Sequence, residues 1–282
     1  MRPAPRLLAL ALRAALPFGV FVGALVLAGC FQTRSILRLN ADGSGTIEET
    51  VTFSPSFLAM VQGFASDSTG TSLPLYSDSL LQARAASLGA RFVSVEPYTG
   101  ENGEEGYRAR YAFDDVNALT FRFNEDLLAF ANDEENDDTD LPQAPILFTY
   151  ERGPVNTLRV LLPQGIEDAE EPGEIDSDSL RAELARTAPV LRMIFTDMRI
   201  AFDVEVNGTI TETDADYHEG NTVTINDVDM GAAIERLLED PEAFARLRTQ
   251  AEPSPTSIRR LVGDIEGVRA EADSAVTIRF TE

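Results

Sequence analysis

Short segments in which apolar and polar residues alternate constrain this 282-residue chain more than any other feature. Every second residue from Ile47 through Glu49 to Phe53 forms one row, and threonines and a glutamate form the other. A period of two predicts a β-strand with two different faces. The pair Asp42-Gly43 can supply the positive φ of a tight turn, so this strand and residues 33–39 are predicted to form a β-hairpin.

The same pattern predicts strands along much of the remaining chain, at residues 91–98, 106–113, 119–123, 146–151, 157–162, 200–206, 209–213, 222–226 and 276–281. Helices are predicted where a capping residue precedes apolar residues spaced three or four apart, at residues 54–64, 78–88, 180–198, 234–238 and after Asp240-Pro241. Pro189 is predicted to kink the third helix or to split it. Hairpins and separate helices without regular βαβ alternation predict an α+β fold, with a largely antiparallel sheet and several packed amphipathic helices.

The first thirty residues have the features of an export signal. Arg2, Arg6 and Arg13 carry positive charge, and an apolar stretch follows from Ala14 to Ala28. Its 15 residues are too few for a membrane-spanning helix, which needs about 20. Residues 1–29 are therefore predicted to be a signal peptide, and residues 30–282 an exported domain.

The end of this segment, Leu27-Ala28-Gly29-Cys30, resembles the lipobox of bacterial lipoprotein precursors. The resemblance implies that cleavage falls between Gly29 and Cys30, that the Cys30 sulfur receives a diacylglyceryl group, and that the new amino terminus is acylated, for example with palmitate. A thiolate is the nucleophile that such a step needs. The alternative is an unmodified cysteine that follows a plain signal peptide or a signal anchor.

Lipidation of Cys30 implies a protein bound to a membrane of the cell envelope by its lipid. No Asp follows the cysteine directly, since Phe31-Gln32 stand there. In a host with two membranes, the family rule then favours the outer membrane, facing the periplasm, over the inner membrane.

The charge of the chain restricts its partners. There are 47 acidic residues against 23 basic ones, and every basic residue is Arg. Such acidity argues against nucleic-acid binding, and it makes the lipid, not the protein surface, the membrane anchor. The acidity is interpreted as an adaptation of the host to salt or solubility, with binding of a cation or a basic partner as the alternative. One Cys, one His and no Lys exclude a disulfide framework, a Cys/His zinc site and a lysine-based active site.

Three further segments resemble LppM-type envelope lipoproteins, a family of unknown function. They are the turn Asp42-Gly43-Ser44-Gly45, the phrase Leu158–Gly165 and the longer stretch Val206–Thr224. The resemblance implies an envelope lipoprotein domain, and it implies no catalysis.

No catalytic, cofactor-binding or metal-binding residue is predicted. His218 lies in a polar turn, and no G-x-S-x-G frames a nucleophilic serine. The spacing Asp214-x-Asp216-x-His218 lacks the Gly and the Glu of an EF-hand loop. The acidic run Asn132–Asp140 is interpreted as a solvated loop, with weak calcium binding as the alternative.

The predicted function is therefore that of a lipid-anchored envelope lipoprotein with a binding or structural role, and not that of an enzyme. One alternative is a carrier or sensor of an envelope amphiphile, which requires an apolar cavity beside the helix Phe57–Phe64. Another is a hydrolase that uses a pair of carboxylates. The ligand and any protein partner are not identified by the sequence. A second domain boundary at residues 132–143 is the alternative to one continuous exported domain.

Overall fold

A computed structural model describes residues 31–59, 76–122, 144–163, 177–240, 243 and 267–282 of the chain. The side chains of residues 177–183, 193 and 194 lie outside this description. So do the predicted signal peptide with Cys30, the acidic stretch 132–143, and the predicted helix after Asp240-Pro241 apart from Ala243.

Two β-sheets form most of the described structure. The larger has eight strands in the order β10-β11-β8-β1-β2-β4-β3, with β12 paired to β11. The smaller has the order β5-β6-β7-β13-β9. The strands are β1 (Phe31–Leu39), β2 (Gly45–Phe53), β3 (Arg91–Thr99), β4 (Glu105–Phe113), β5 (Thr120–Phe121), β6 (Ile146–Glu151), β7 (Asn156–Leu161), β8 (Arg199–Val206), β9 (Thr209–Thr213), β10 (His218–Glu219), β11 (Thr222–Asp229), β12 (Val268–Ala270) and β13 (Ala275–Thr281).

The predicted hairpins are confirmed. Strands β1 and β2 pair antiparallel from Phe31↔Phe53 to Leu39↔Gly45. Gly43 has a φ of 89° in the turn between them, and the Asp42 carboxylate accepts a hydrogen bond from the Ser44 backbone N–H at 2.9 Å. β3 pairs with β4 and β6 with β7 in the same manner, and β13 is an inner strand of the smaller sheet.

One pairing is parallel. β1 lies beside β8, from Gln32↔Arg199 to Leu39↔Val206. Parallel neighbours need a long crossover connection, and here residues 40–198 provide it. The first described strand is therefore in the interior of its sheet, between β2 and β8.

A hydrophobic core joins the two sheets. Phe202 of β8 stacks on Phe121 of β5, with ring centroids 4.3 Å apart, and meets the edge of Phe148 of β6 at 6.4 Å. Strand alternation provides the rest of this core from one face of each sheet, including Leu37, Ile47, Tyr111, Leu158, Val204, Ile278 and Phe280.

Within the described residues, three α-helices and one short 3₁₀-helix (Val116–Ala118) accompany the sheets. The α-helices are α1 (Asp78–Leu88), α2 (Ser177–Phe195) and α3 (Met230–Glu239). The α1 bounds agree with the prediction. Ser77 caps its first turn by accepting the Leu80 N–H at 3.2 Å, and Gly89 ends it in the left-handed conformation. α2 continues through Pro189, so the predicted split does not occur. At residues 55–59 a helical turn follows Ser54, and Phe57 stacks on Phe53.

The expectation of several packed amphipathic helices is not confirmed. α3 has an apolar face that buries Ala233, Ile234 and Leu237. α1, in contrast, buries Arg84 together with Leu81 and Leu88, so its packed face is not apolar. Some of the side chains that were predicted to form the apolar stripe of α2 are not described by the structure.

Candidate functional site

The described structure begins one residue after the predicted lipidation site. Phe31 is buried and pairs with Phe53, so the sheet starts at once, without a linker. The β1 residues that follow point alternately into the core and away from it. The end of the larger sheet where β1 and β8 begin is therefore the end nearest Cys30, and we call it the anchor end.

The face of the larger sheet that points away from the core, here the outer face, carries most of its charged side chains. Strand register places Ala201, Arg34, Thr50 and Arg108 side by side across β8, β1, β2 and β4. The next row away from the anchor end contains Asp203, Ile36, Glu48 and Arg110. The first row thus carries two arginines and no carboxylate, and the second carries two carboxylates and one arginine.

On this face the aspartates are buried and their arginine partners are exposed. Arg34 Nη2 contacts Asp203 Oδ2 at 2.7 Å, and the exposed side-chain fractions are 56% for the arginine and 3% for the aspartate. Arg199 donates two hydrogen bonds to Asp227, at 2.7 and 2.9 Å, with fractions of 51% and 3%. Each of these exposed guanidinium groups is therefore paired with a carboxylate that is itself shielded from solvent.

Asp227 binds two arginines at once. In addition to the hydrogen bonds from Arg199, Asp227 accepts one from Arg269 of β12. Burial disfavours the charged carboxylate, but the two arginines outweigh burial and hold the pKa of Asp227 below its ordinary value. Asp229 lies opposite Arg199 in the register of β8 and β11 and is a second aspartate that interacts with its charge.

Glu48 is the acceptor at the centre of the face. It lies within 4.0 Å of Arg38, Arg108 and Arg110, with the shortest contact 3.0 Å to Arg110. Burial raises the pKa of this carboxyl group, and the hydrogen bond from Arg110 and the surrounding arginine charges more than reverse the effect, so the pKa is lowered. Arg108 also contacts Glu96 and lies over the Tyr98 ring, 4.7 Å from its centroid.

A hollow of about 530 Å³ opens on the outer face at the anchor end, and we call it the outer groove. Its floor is formed by strands β1, β2 and β8, and one wall is the turn between β3 and β4. Within that turn Glu104 accepts hydrogen bonds from the backbone and side-chain N–H groups of Asn102. The pKa of Glu104 is lowered, first by its own backbone N–H and then by these two donors. The lining residues are Gln32, Thr33, Arg34, Ile36, Glu48, Thr50, Thr52, Tyr98, Gly100, Glu101, Asn102, Glu104, Arg108, Arg199 and Ala201.

The two other buried carboxylates are held by internal donors. Glu49 points into the core and contacts Arg84 of α1, with Nη2···Oε1 at 2.6 Å and both side chains at most 5% exposed. Glu271 accepts hydrogen bonds from the backbone N–H groups of Asp216 and Tyr217. Neither contact tests the hypothesis of a carboxylate-pair hydrolase, which stays a prediction.

His218 and its neighbours lie near the turn that was predicted, with one difference. His218 and Glu219 form the short strand β10, paired to β11, and His218 is exposed. Asp214 accepts the Thr277 backbone N–H at 2.6 Å, so its carboxylate joins this turn to β13. Within the described ranges, no three His, Cys, Asp or Glu side chains are grouped in a way that could hold a metal ion.

Sequence analysis did not identify the outer groove. Its three arginines lie on three different strands, Arg34 on β1, Arg108 on β4 and Arg199 on β8. Strand pairing brings them together, and alternation within a strand does not reveal which strand lies beside it.

Comparison with known proteins does not assign the chain to a family. No protein-family model matches the chain, and no curated protein matches it in sequence. Among solved structures, the folded domain of LppM from Mycobacterium tuberculosis, determined by NMR, is similar over 90% of this chain and 92% of that chain, with 12% identity and a TM-score of 0.33. At this TM-score the likeness supports no conclusion on the family or the function of the chain. None of the helices in the described residues is long and apolar enough to cross a membrane.

Proposed function

We propose that this protein is a lipid-anchored lipoprotein of the cell envelope that binds a polar partner in the outer groove. The anchor is Cys30, at the end of the lipobox-like Leu27-Ala28-Gly29-Cys30. In a host with two membranes it lies in the outer membrane and faces the periplasm, since no Asp follows the cysteine.

The position of the groove relative to the anchor supports this proposal most directly. Arg34, which lines the groove, is four residues from Cys30, a distance of about 13 Å along an extended strand. No linker separates the anchor from the buried Phe31. A lipid on Cys30 therefore holds the groove within reach of the membrane surface.

The lining of the groove favours a polar partner over an acyl chain. Most of its side chains are charged, hydroxyl-bearing or amide-bearing. A carrier of an amphiphile needs an enclosed apolar site for the chain. The groove therefore supports recognition of a polar group at the membrane surface.

The anchor is tested by metabolic labelling. In the host or another bacterium with lipoprotein processing, we expect radioactive palmitate to label the wild-type protein and not the Cys30→Ser variant, which should accumulate as precursor. Equal labelling of both proteins would refute lipidation at Cys30.

The groove is tested by filling it. Thr50 lies on the groove floor, whereas Thr46 lies on the same face of β2 outside the groove. We expect native mass spectrometry of the detergent-extracted protein to show a co-purified mass that Thr50→Trp removes and the matched control Thr46→Trp retains. The same spectrum for all three proteins would contradict binding in the groove.

A further inference from the structure

The outer groove has walls of opposite charge. Arg34 and Arg199 line it on the side of β1 and β8, and Glu101 and Glu104 line it from the β3–β4 turn. Both arginine side chains are more than half exposed, and Glu101 is exposed as well. In a chain with twice as many acidic as basic residues, this separation of charge is a local property of the site.

The cationic wall is held in place before any ligand arrives. Asp203 and Asp227 lie beneath the guanidinium groups and accept hydrogen bonds from Arg34 and Arg199. A third carboxylate, Asp229, lies opposite Arg199 in the register of β8 and β11, so the three arginine charges, with Arg269 included, are balanced. A guanidinium fixed by a buried carboxylate keeps its other N–H groups for an oxyanion and loses little side-chain freedom on binding.

The anionic wall is also ordered. Asn102 donates to both oxygens of Glu104, at 3.0 and 3.1 Å, and Glu101 is next to it in the turn. Thr50 and Thr52 of β2 lie between the walls, and Arg108 and Glu48, which form an ion pair, also line the groove on this side of Arg34. The backbones of β8 and β4 are three strand spacings apart, or about 14 Å, and side chains from both walls narrow this gap.

We propose that the outer groove binds a small zwitterion, with its oxyanion at Arg34 and Arg199 and its ammonium group at Glu101 and Glu104. The proposal rests on the proposed function of the groove as the binding surface. A purely anionic ligand would meet the repulsion of the two glutamates, and a purely cationic one that of the arginines. Two sources have this chemistry: the phosphoethanolamine headgroup of a phospholipid, and the amine and carboxylate of a short peptide.

The test is calorimetric titration of the full-length protein extracted from membranes in detergent. The probes are phosphoethanolamine and alanylalanine, compared with inorganic phosphate, acetate and ethylamine. We expect one zwitterion to bind at least about tenfold more tightly than either of its halves, since a hydrogen bond to a charged group contributes about that much. Whichever zwitterion binds more tightly identifies the source.

Variants locate the two ends of the ligand. Glu101→Gln, in an exposed turn, should weaken binding of the zwitterion about tenfold. Its anionic half loses only a repulsive charge in this variant and should bind no more weakly than to the wild type. The paired change Arg34→Gln with Asp203→Asn removes the cation without stranding a buried charge, and it should weaken both. Arg279→Gln, which removes an exposed arginine of the smaller sheet, is the control and should change neither.

Two results would overturn the proposal: no binding of either zwitterion, or equal affinity for a zwitterion and its anionic half. If the paired variant does not fold, Glu101→Gln alone decides between these outcomes. Failure here would leave the anchor and the groove-filling experiments unaffected, because neither depends on the charge of the ligand.

Discussion

Removal of the Arg84 guanidinium is expected to leave a carboxylate unpaired inside the core. Arg84 Nε and Nη2 contact Glu49 at 2.6 to 3.3 Å, and the same guanidinium lies 5.5 Å from the centroid of the Phe121 ring. Arg84→Met retains most of the aliphatic stem, so the main loss is the charge. Glu49 then loses the ion pair that offsets its burial in the core.

The free-energy loss follows from the burial of the pair. Breaking a buried ion pair by removing one partner costs about 3–5 kcal/mol, because the remaining charge is uncompensated. We therefore expect Arg84→Met to lower the free energy of unfolding by about 3–5 kcal/mol at pH 7.

Urea unfolding of the full-length chain measures this loss. The double variant Glu49→Leu with Arg84→Met replaces the pair by apolar groups, and it should recover most of the stability. Arg279→Met breaks an exposed pair with Glu212 and should cost about 0–1 kcal/mol. A loss below about 1 kcal/mol for Arg84→Met, or a double variant as unstable as the single one, would refute the argument.

Two further predictions concern the outer face. Because the pKa of Asp227 is lowered in the folded protein, its contribution to stability is present above the unfolded value of about 3.9 and disappears as the pH falls through the folded value. Asp227→Asn should therefore be less stable than wild type at pH 6, with a difference in urea midpoint that shrinks below about pH 4; a constant difference would contradict this. Gly106→Ala would place a Cβ 1.9 Å from a backbone carbonyl oxygen of β2, and it should lower the free energy of unfolding, measured with heat or urea, by about 1–3 kcal/mol. The control Gly153→Ala, whose Cβ would have its nearest atom at 3.3 Å, should lower it by less. Equal losses of stability in the two variants would contradict the prediction.

Local signals in the sequence predict much of the fold. The Asp42-Gly43 turn joins β1 to β2, and Ser77 and Gly89 bound α1. Each of these features depends on residues close together in the chain. The parallel pairing of β1 with β8 depends on residues more than 150 positions apart, and no local pattern indicates it.

A buried ion pair explains why the prediction of packed amphipathic helices was not confirmed for α1. Glu49 occupies the apolar row of β2, and Arg84 occupies the packed face of α1. Taken alone, each residue conflicts with the pattern around it, and the contact between them resolves both conflicts. The outer groove was missed for a related reason, because Arg34 and Arg199 become neighbours only through strand pairing.

The interior position of β1 has a mechanical consequence for an anchored protein. A pull on Cys30 would act along the axis of β1, which is bonded to β2 on one side and to β8 on the other. Such a load is in shear, so the hydrogen bonds of both ladders share it and do not open one after another, as they would if an edge strand were peeled away. Tension from a moving membrane would therefore be transmitted to the domain as a whole, and the first residues of the sheet would resist extraction.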